Sequence, residues 1–165
     1  MRVLIQRVSH ACVRIDGSVV GEIGPGLALL VGICDQDTLA TVPKMAKKIT
    51  NMRIFNDDQD KMNLALGDVG GGILLVSQFT LYGDCRKGNR PSFIGSASGE
   101  QARSLYAHFG RILREAWSEV SEGEFGAMMR VELVNDGPVT LVIDREAPGP
   151  LAERGAGASG GGAGR

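Results

Sequence analysis

Histidine is nearly absent, with only His10 and His108 in 165 residues, and no two histidines stand at ligand spacing, so the sequence carries no zinc signature. The three cysteines, Cys12, Cys34 and Cys85, are odd in number and far apart, without a CxxC pair. That excludes a disulfide framework and points to a reducing, cytoplasmic setting. No long apolar run is present: Leu27 to Cys34, with Gly32 inside it, falls far short of the ~18 residues that span a bilayer, and the N-terminus reads as neither a secretion signal nor an anchor. Charge of one sign is missing too. With 18 Lys+Arg against 19 Asp+Glu the formal net charge is -1, so the overall field cannot gather polyanions, and a nucleic-acid partner must be held locally. Aromatics are only 5%, while glycine, at 24 residues, is in excess.

What is present fits one folded domain with a real core, since 43% of residues are hydrophobic. Alternation of Val3, Ile5 and Arg7 with Leu4, Gln6 and Val8 predicts a strand, and Ala11 to Asp16 and Ser18 to Ile23 flank Gly17 as a hairpin. Leu27 to Ile33 does not alternate, which predicts a strand buried on both faces. Leu39, Val42, Ala46, Ile49 and Met52 recur at helical spacing over roughly 38–51, with Pro43 tolerable only in the first turn. A strand is expected from Ile73 to Thr80. Ser98 with Gln101 forms a capping box for a helix whose stripe runs Leu105, Phe109, Ile112, Leu113, Ala116, Trp117 and Val120. Met128–Val134 and Val139–Ile143 then read as two strands around a turn at Asn135-Asp136-Gly137-Pro138. The fold class is α+β: mixed β-sheets forming a barrel-like core with two main helices packed outside. Residues 1–146 form the domain, and 147–165, rich in glycine and without periodicity, read as a disordered tail.

Chemistry-bearing constellations are few. Asp57, Asp58 and Asp60 lack the glycine and closing Glu of a calcium loop and read as a solvated turn. Gly24-Pro25-Gly26 and Gly70-Gly71-Gly72 have no phosphate-loop spacing and read as turns. No cofactor and no metal is expected. Arg86, Lys87 and Arg90, beside Asp84, form a basic loop that reads either as solvated or as a phosphate or ribose contact. Ser77-Gln78-Phe79-Thr80-Leu81-Tyr82 puts hydroxyls, an amide and a ring where a buried strand emerges. Nothing in its spacing marks Gly137-Pro138, because only about 5–6% of X-Pro bonds are cis.

SQFTLYGDCRKGNRPSF and NDGPVT, with FNDDQDKMN and the opening MRVLIQRVSHACV, closely resemble the D-aminoacyl-tRNA deacylase family over about residues 1 to 145. The resemblance implies a homodimeric enzyme, with active sites at the interface, that hydrolyses the ester joining a D-amino acid to the 3′-terminal adenosine of tRNA and also acts on glycine mischarged on tRNA(Ala). Gly137 and Pro138 match the family's cis Gly-Pro element, inserted from one subunit into the other's pocket to reject L-amino acids. The intact SQFTL argues against the related animal branch with relaxed chiral selectivity. Phe79 and Thr80 are the catalytic candidates. Either their backbone N–H groups form an oxyanion site, with the ribose 2′-hydroxyl helping to place water, or Thr80 is a nucleophile, although no activating base lies nearby in sequence. Ser77 and Gln78 would shape the pocket and bind the adenosine, and Arg7 would brace the Gly-Pro element. Two other classes stay open: a non-catalytic tRNA acceptor-end binding module using Arg86, Lys87 and Arg90, and an esterase with Thr80 or Ser77 as nucleophile.

Overall fold

A computed structural model describes residues 1–145; the glycine-rich segment expected to be a disordered tail lies outside the described residues. Strand β1 (Arg2–Ile15) turns into β2 (Ser18–Ile23) through Asp16 and Gly17, whose φ values of 48° and 84° are the left-handed pair of a tight hairpin. Strand β3 (Gly26–Gly32) is central and almost wholly buried, antiparallel to β1 and parallel to β6 (Gly72–Ser77), as its unbroken apolar run requires. Strand β7 (Val120–Glu122) adds in parallel to β6. The sheet then curls back on itself, and the Ser121 hydroxyl donates to the Glu22 carbonyl of β2 at 2.9 Å. This near-closure gives the barrel-like core. Val8, Ala11, Val13, Ile23, Ala28, Leu74 and Val76 form one of the two buried clusters.

The second cluster lies between the sheet and two helices. Helix α1 (Thr41–Thr50) buries Val42, Met45, Ala46 and Ile49, and α3 (Gly99–Ala116) buries Leu105, Tyr106, Phe109, Gly110 and Leu113, against Val3, Ile5, Leu27, Leu29, Ile73 and Leu75. Each fully buried side chain of this size contributes about 1.5–3 kcal/mol, so the two stripes hold the helices in place. The expected α+β architecture with two main outer helices is the observed one. Between them stand the short hairpin β4 (Phe55–Asn56) and β5 (Met62–Leu64), the single turn α2 (Leu66–Val69) and the 3₁₀ helix η1 (Phe79–Tyr82).

Four expectations need correction. Helix α1 begins at Thr41 rather than near residue 38, leaving Leu39 59% exposed outside the stripe and Pro43 in the first turn. Helix α3 stops at Ala116. Trp117 is extended, its indole N–H donates to the Gly71 carbonyl at 2.8 Å, and Val120 belongs to β7, because the chain leaves the helix to pair with β6. The capping box is half formed: Ser98 Oγ accepts from the Gln101 amide, but the Gln101 side chain donates to Asp35 and Asp37 carbonyls instead of returning to the cap. Finally, Arg130–Asp144 is one strand, β8, and Asn135-Asp136-Gly137-Pro138 is not a reversing turn. Both halves of β8 run along β1 in the same direction. Gln6 pairs with Thr140 and Val8 with Asn135, so four residues of β8 bulge outward opposite the single residue Arg7.

Candidate active site

The first half of the site grows from the end of β6. Ser77 closes the strand opposite Val31, the Gln78 amide donates to the Val31 carbonyl at 2.7 Å, and the chain then tightens into η1 instead of extending to Thr80 as expected. Gly32 makes this approach possible: a Cβ there would sit 3.1 Å from both Leu81 Cβ and Tyr82 Cδ2. Arg2 holds η1 from β1, donating to the Leu81 carbonyl at 2.7 Å and lying 4.7 Å over the Tyr82 ring, while Asp144 fixes its Nε at 2.8 Å. Burial pushes the Tyr82 phenol far above its ordinary range, so it stays neutral.

Phe79 and Thr80 stand exposed at the head of η1. As first-turn residues they have no acceptor within the 3₁₀ helix, and neither amide donates a hydrogen bond among the described residues. The Phe79 carbonyl is held by Ser96 Oγ at 3.0 Å, and its ring meets Phe93 edge-on at 5.2 Å. The Gln78 side-chain amide donates to Thr80 Oγ1. Thus Ser77, Gln78, Phe79 and Thr80 stand together where β6 passes into η1. No histidine, lysine or carboxylate is bonded to the Thr80 hydroxyl among the described residues.

The second half is the bulge of β8. Arg7 shares the inward face of β1 with Val3 and Ile5 and is 6% exposed. Its guanidinium donates to the Ile54 carbonyl at 2.7 Å, to Asn56 Oδ1 at 3.1 Å and to the Asp136 carbonyl at 3.3 Å, and pairs with the Asp136 carboxylate at 3.2 Å. Arg7 therefore braces the Gly-Pro element rather than standing free on the surface. Asn135, the first residue of NDGPVT but given no role from the sequence, ties the bulge down by donating to the Arg7 and Val139 carbonyls at 2.9 and 3.1 Å. The Gly137–Pro138 peptide is cis, both residues are exposed, and Gly137 has φ 104°. A Cβ on Gly137 would strike the Arg7 guanidinium. Arg2 and Asn135 are the residues sequence reasoning missed; only the strand register brings them to the two halves.

The halves do not meet within one chain. Ser77 lies level with Val31 and hence with Val3 of β1, whereas the bulge lies opposite Arg7. They are separated by three strand spacings of ~4.8 Å across the sheet and about four residues of ~3.3 Å along it. The basic loop is also altered: Asp84 accepts from Arg86 Nε and Nη2 at 2.8 and 2.7 Å, and these bonds bring the Asp84 carboxyl down to about 2. One of its three cations is therefore engaged. Among the described residues no cluster of three metal-ligating side chains occurs, and no helix is long and apolar enough to cross a membrane.

Comparison with known proteins shows the family. The family model described as D-Tyr-tRNA(Tyr) deacylase matches residues 4–144. A D-aminoacyl-tRNA deacylase from Shouchella clausii is 54% identical over 146 residues, covering 88% of this chain and 100% of that one. One from Deinococcus radiodurans is 53% identical over 144 residues, covering 87% and 99%. Among solved structures, the c-Myc DNA Unwinding Element Binding Protein superposes with a TM-score of 0.84 at 38% identity, covering 89% of this chain and 100% of that one. A probable eukaryotic D-amino acid tRNA deacylase superposes at 0.76 with 20% identity, over 87% and 98%, a likeness of fold. This chain belongs to the D-Tyr-tRNA(Tyr) deacylase family, and so to a family of hydrolases.

Proposed function

We propose that residues 1–146 form a catalytic domain that hydrolyses the ester between a D-amino acid and the 3′-terminal adenosine of tRNA, and equally the glycyl ester mischarged on tRNA(Ala). The observation that carries this reading is the pair of Phe79 and Thr80 amides at the head of η1, without hydrogen-bond partners among the described residues and with no side-chain base bonded to the Thr80 hydroxyl. Water attacks the ester carbonyl, the negative charge that develops on its oxygen is met by the two amides, and the ribose 3′-oxygen leaves with the proton. The neighbouring 2′-hydroxyl places the water. Donors fixed in advance at a developing oxyanion are worth about 2.7–4 kcal/mol each, which lessens the need for an acid–base side chain. Ser77 and Gln78 border the adenosine.

Selectivity follows from Gly137 and Pro138. In a homodimer, the exposed bulge of one copy enters the other's η1 pocket, presenting backbone where an L side chain would point. A D-residue directs only hydrogen there, and glycine has nothing to reject. The separation of the two halves within one chain supports the dimer, as does the outer edge of β8, unpaired among the described residues and bearing the exposed Val134 and Val142. The cytoplasm, where aminoacyl-tRNA is found, is the proposed setting. The test is release of tyrosine from D-Tyr-tRNA and L-Tyr-tRNA: rapid release from the D-ester alone is expected. Equal or absent release would refute the reading, and binding without turnover would favour the acceptor-end binding module.

A further inference from the structure

The described arginines that form ion pairs do so with carboxylates within the chain, namely Arg2, Arg7, Arg14, Arg86, Arg111 and Arg114. Helix α1 behaves differently. Lys44, Lys47 and Lys48 project from its exposed side, at i, i+3 and i+4, and none of their ammonium groups has a hydrogen-bond or ion-pair partner among the described residues. Such spacing puts neighbouring Cβ atoms about 5–6 Å apart on one face. With Arg145 and Asn51 they line a groove whose walls, among the described residues, carry four cations and no carboxylate. Lys47 and Lys48 suit the helix C-terminus, but Lys44 lies near the opposite end, and the last-turn preference does not account for it.

The groove is also linked to the candidate site. The Arg145 amide donates to the Met1 carbonyl at 2.9 Å, and the adjacent Arg2 reaches the Leu81 carbonyl of η1. Arg145 is therefore connected through the start of β1 to the turn that presents Phe79 and Thr80. The basic loop singled out by sequence, by contrast, has Arg86 engaged by Asp84.

We propose that the α1 groove, through Lys44, Lys47, Lys48 and Arg145, binds the phosphate backbone of the duplex arm of the RNA whose 3′ end occupies the η1 pocket. The proposal rests on the deacylase reading for the identity of that RNA. Contact is with phosphates and carries no base specificity, so the groove supplies affinity and direction while the pocket supplies selectivity. It also answers the net charge of -1, since attraction is confined to one locally basic face.

The experiment is fluorescence anisotropy of an uncharged acceptor-stem minihelix ending in a single-stranded CCA, titrated with wild type, K44Q/K47Q/K48Q and K87Q/R90Q between 50 and 200 mM salt. Each phosphate contact contributes about -0.7 to -0.9 to the slope of log K against log salt. Four such contacts weaken wild-type binding by roughly 50- to 150-fold over this fourfold range. The α1 variant is expected to bind at least 10-fold more weakly at low salt, with its slope reduced by about 2, while unfolding cooperatively on heating like wild type. The loop variant should retain most of both. Equal affinity and slope in wild type and the α1 variant would overturn the proposal, as would a loss confined to K87Q/R90Q or no wild-type binding. Hydrolysis of D-aminoacyl-adenosine by wild type, measured separately, scores the deacylase reading, because that ester has no duplex arm.

Discussion

The Thr80 hydroxyl accepts from Gln78 and makes no other hydrogen bond among the described residues, so nothing there removes its proton. Thr80→Ala keeps the backbone amide and is expected to retain kcat/KM on D-aminoacyl-tRNA within about 10-fold, whereas loss of a true nucleophile costs about 10⁴-fold or more. A loss of that size with an acyl-enzyme seen by mass spectrometry would restore the Thr80 esterase. Gly137 is the opposite case, a residue without a side chain whose replacement is costly. With φ 104° and the Arg7 guanidinium in the path of a Cβ, Gly137→Ala is expected to lower stability by about 1–3 kcal/mol and kcat/KM by at least 10-fold. Urea denaturation of Gly137→Ala, Arg7→Ala and the double variant checks the collision: a coupling of about 1 kcal/mol or more is expected, and strict additivity would deny it. Arg7 is partly legible in the sequence. Alternation places it on the face of Val3 and Ile5, and an arginine on a core face needs the acceptors it finds in Ile54, Asn56 and Asp136. Arg2 is not legible, since its task depends on η1 folding back across β3.

Elements whose identity rests on their own residues, such as the Asp16-Gly17 hairpin, the buried β3 and the two helical stripes, are legible in the sequence alone. Those decided by a distant partner are not. Asn135-Asp136-Gly137-Pro138 has turn chemistry, and only pairing of both flanks with β1 turns it into a bulge. Phe79 to Tyr82 has strand-like composition, yet η1 forms because Gly32 leaves room for Leu81 and Tyr82 against β3. Gly32→Ala tests this at the level of the element. Its Cβ would lie 3.1 Å from both side chains and 3.2 Å from the Gln78 carbonyl, so η1 must shift by a few tenths of an ångström. Overpacking of this kind costs about 1–3 kcal/mol, and a small displacement of the oxyanion donors is expected to lower kcat about 10-fold or more while KM changes little. A variant with wild-type kcat would show that the amides of η1 are not what stabilises the transition state.

At the scale of the whole molecule, a barrel closed by β2 and β7 leaves β8 outside as an open edge carrying Gly137 and Pro138, while η1 lies three strands away. A single subunit thus carries the two proposed half-sites apart, and in the proposed homodimer an isologous pair of subunits would supply two complete ones. Mixing two defective proteins distinguishes this from a site built within one chain. Gly32→Leu spoils η1 but leaves the Gly-Pro bulge, and Gly137→Ala spoils the bulge but leaves η1, so each alone is expected to keep no more than about a tenth of wild-type activity. After co-expression in equal amounts, half the dimers are mixed, and each mixed dimer joins one intact η1 to one intact bulge. Activity should return to about a quarter of wild type, because one site in two is restored in half the molecules. Assay of D-Tyr-tRNA hydrolysis on the co-purified mixture reads this directly. Activity no higher than the sum of the separate variants would show that each chain completes its own site, and would remove the shared pocket on which the proposed selectivity depends.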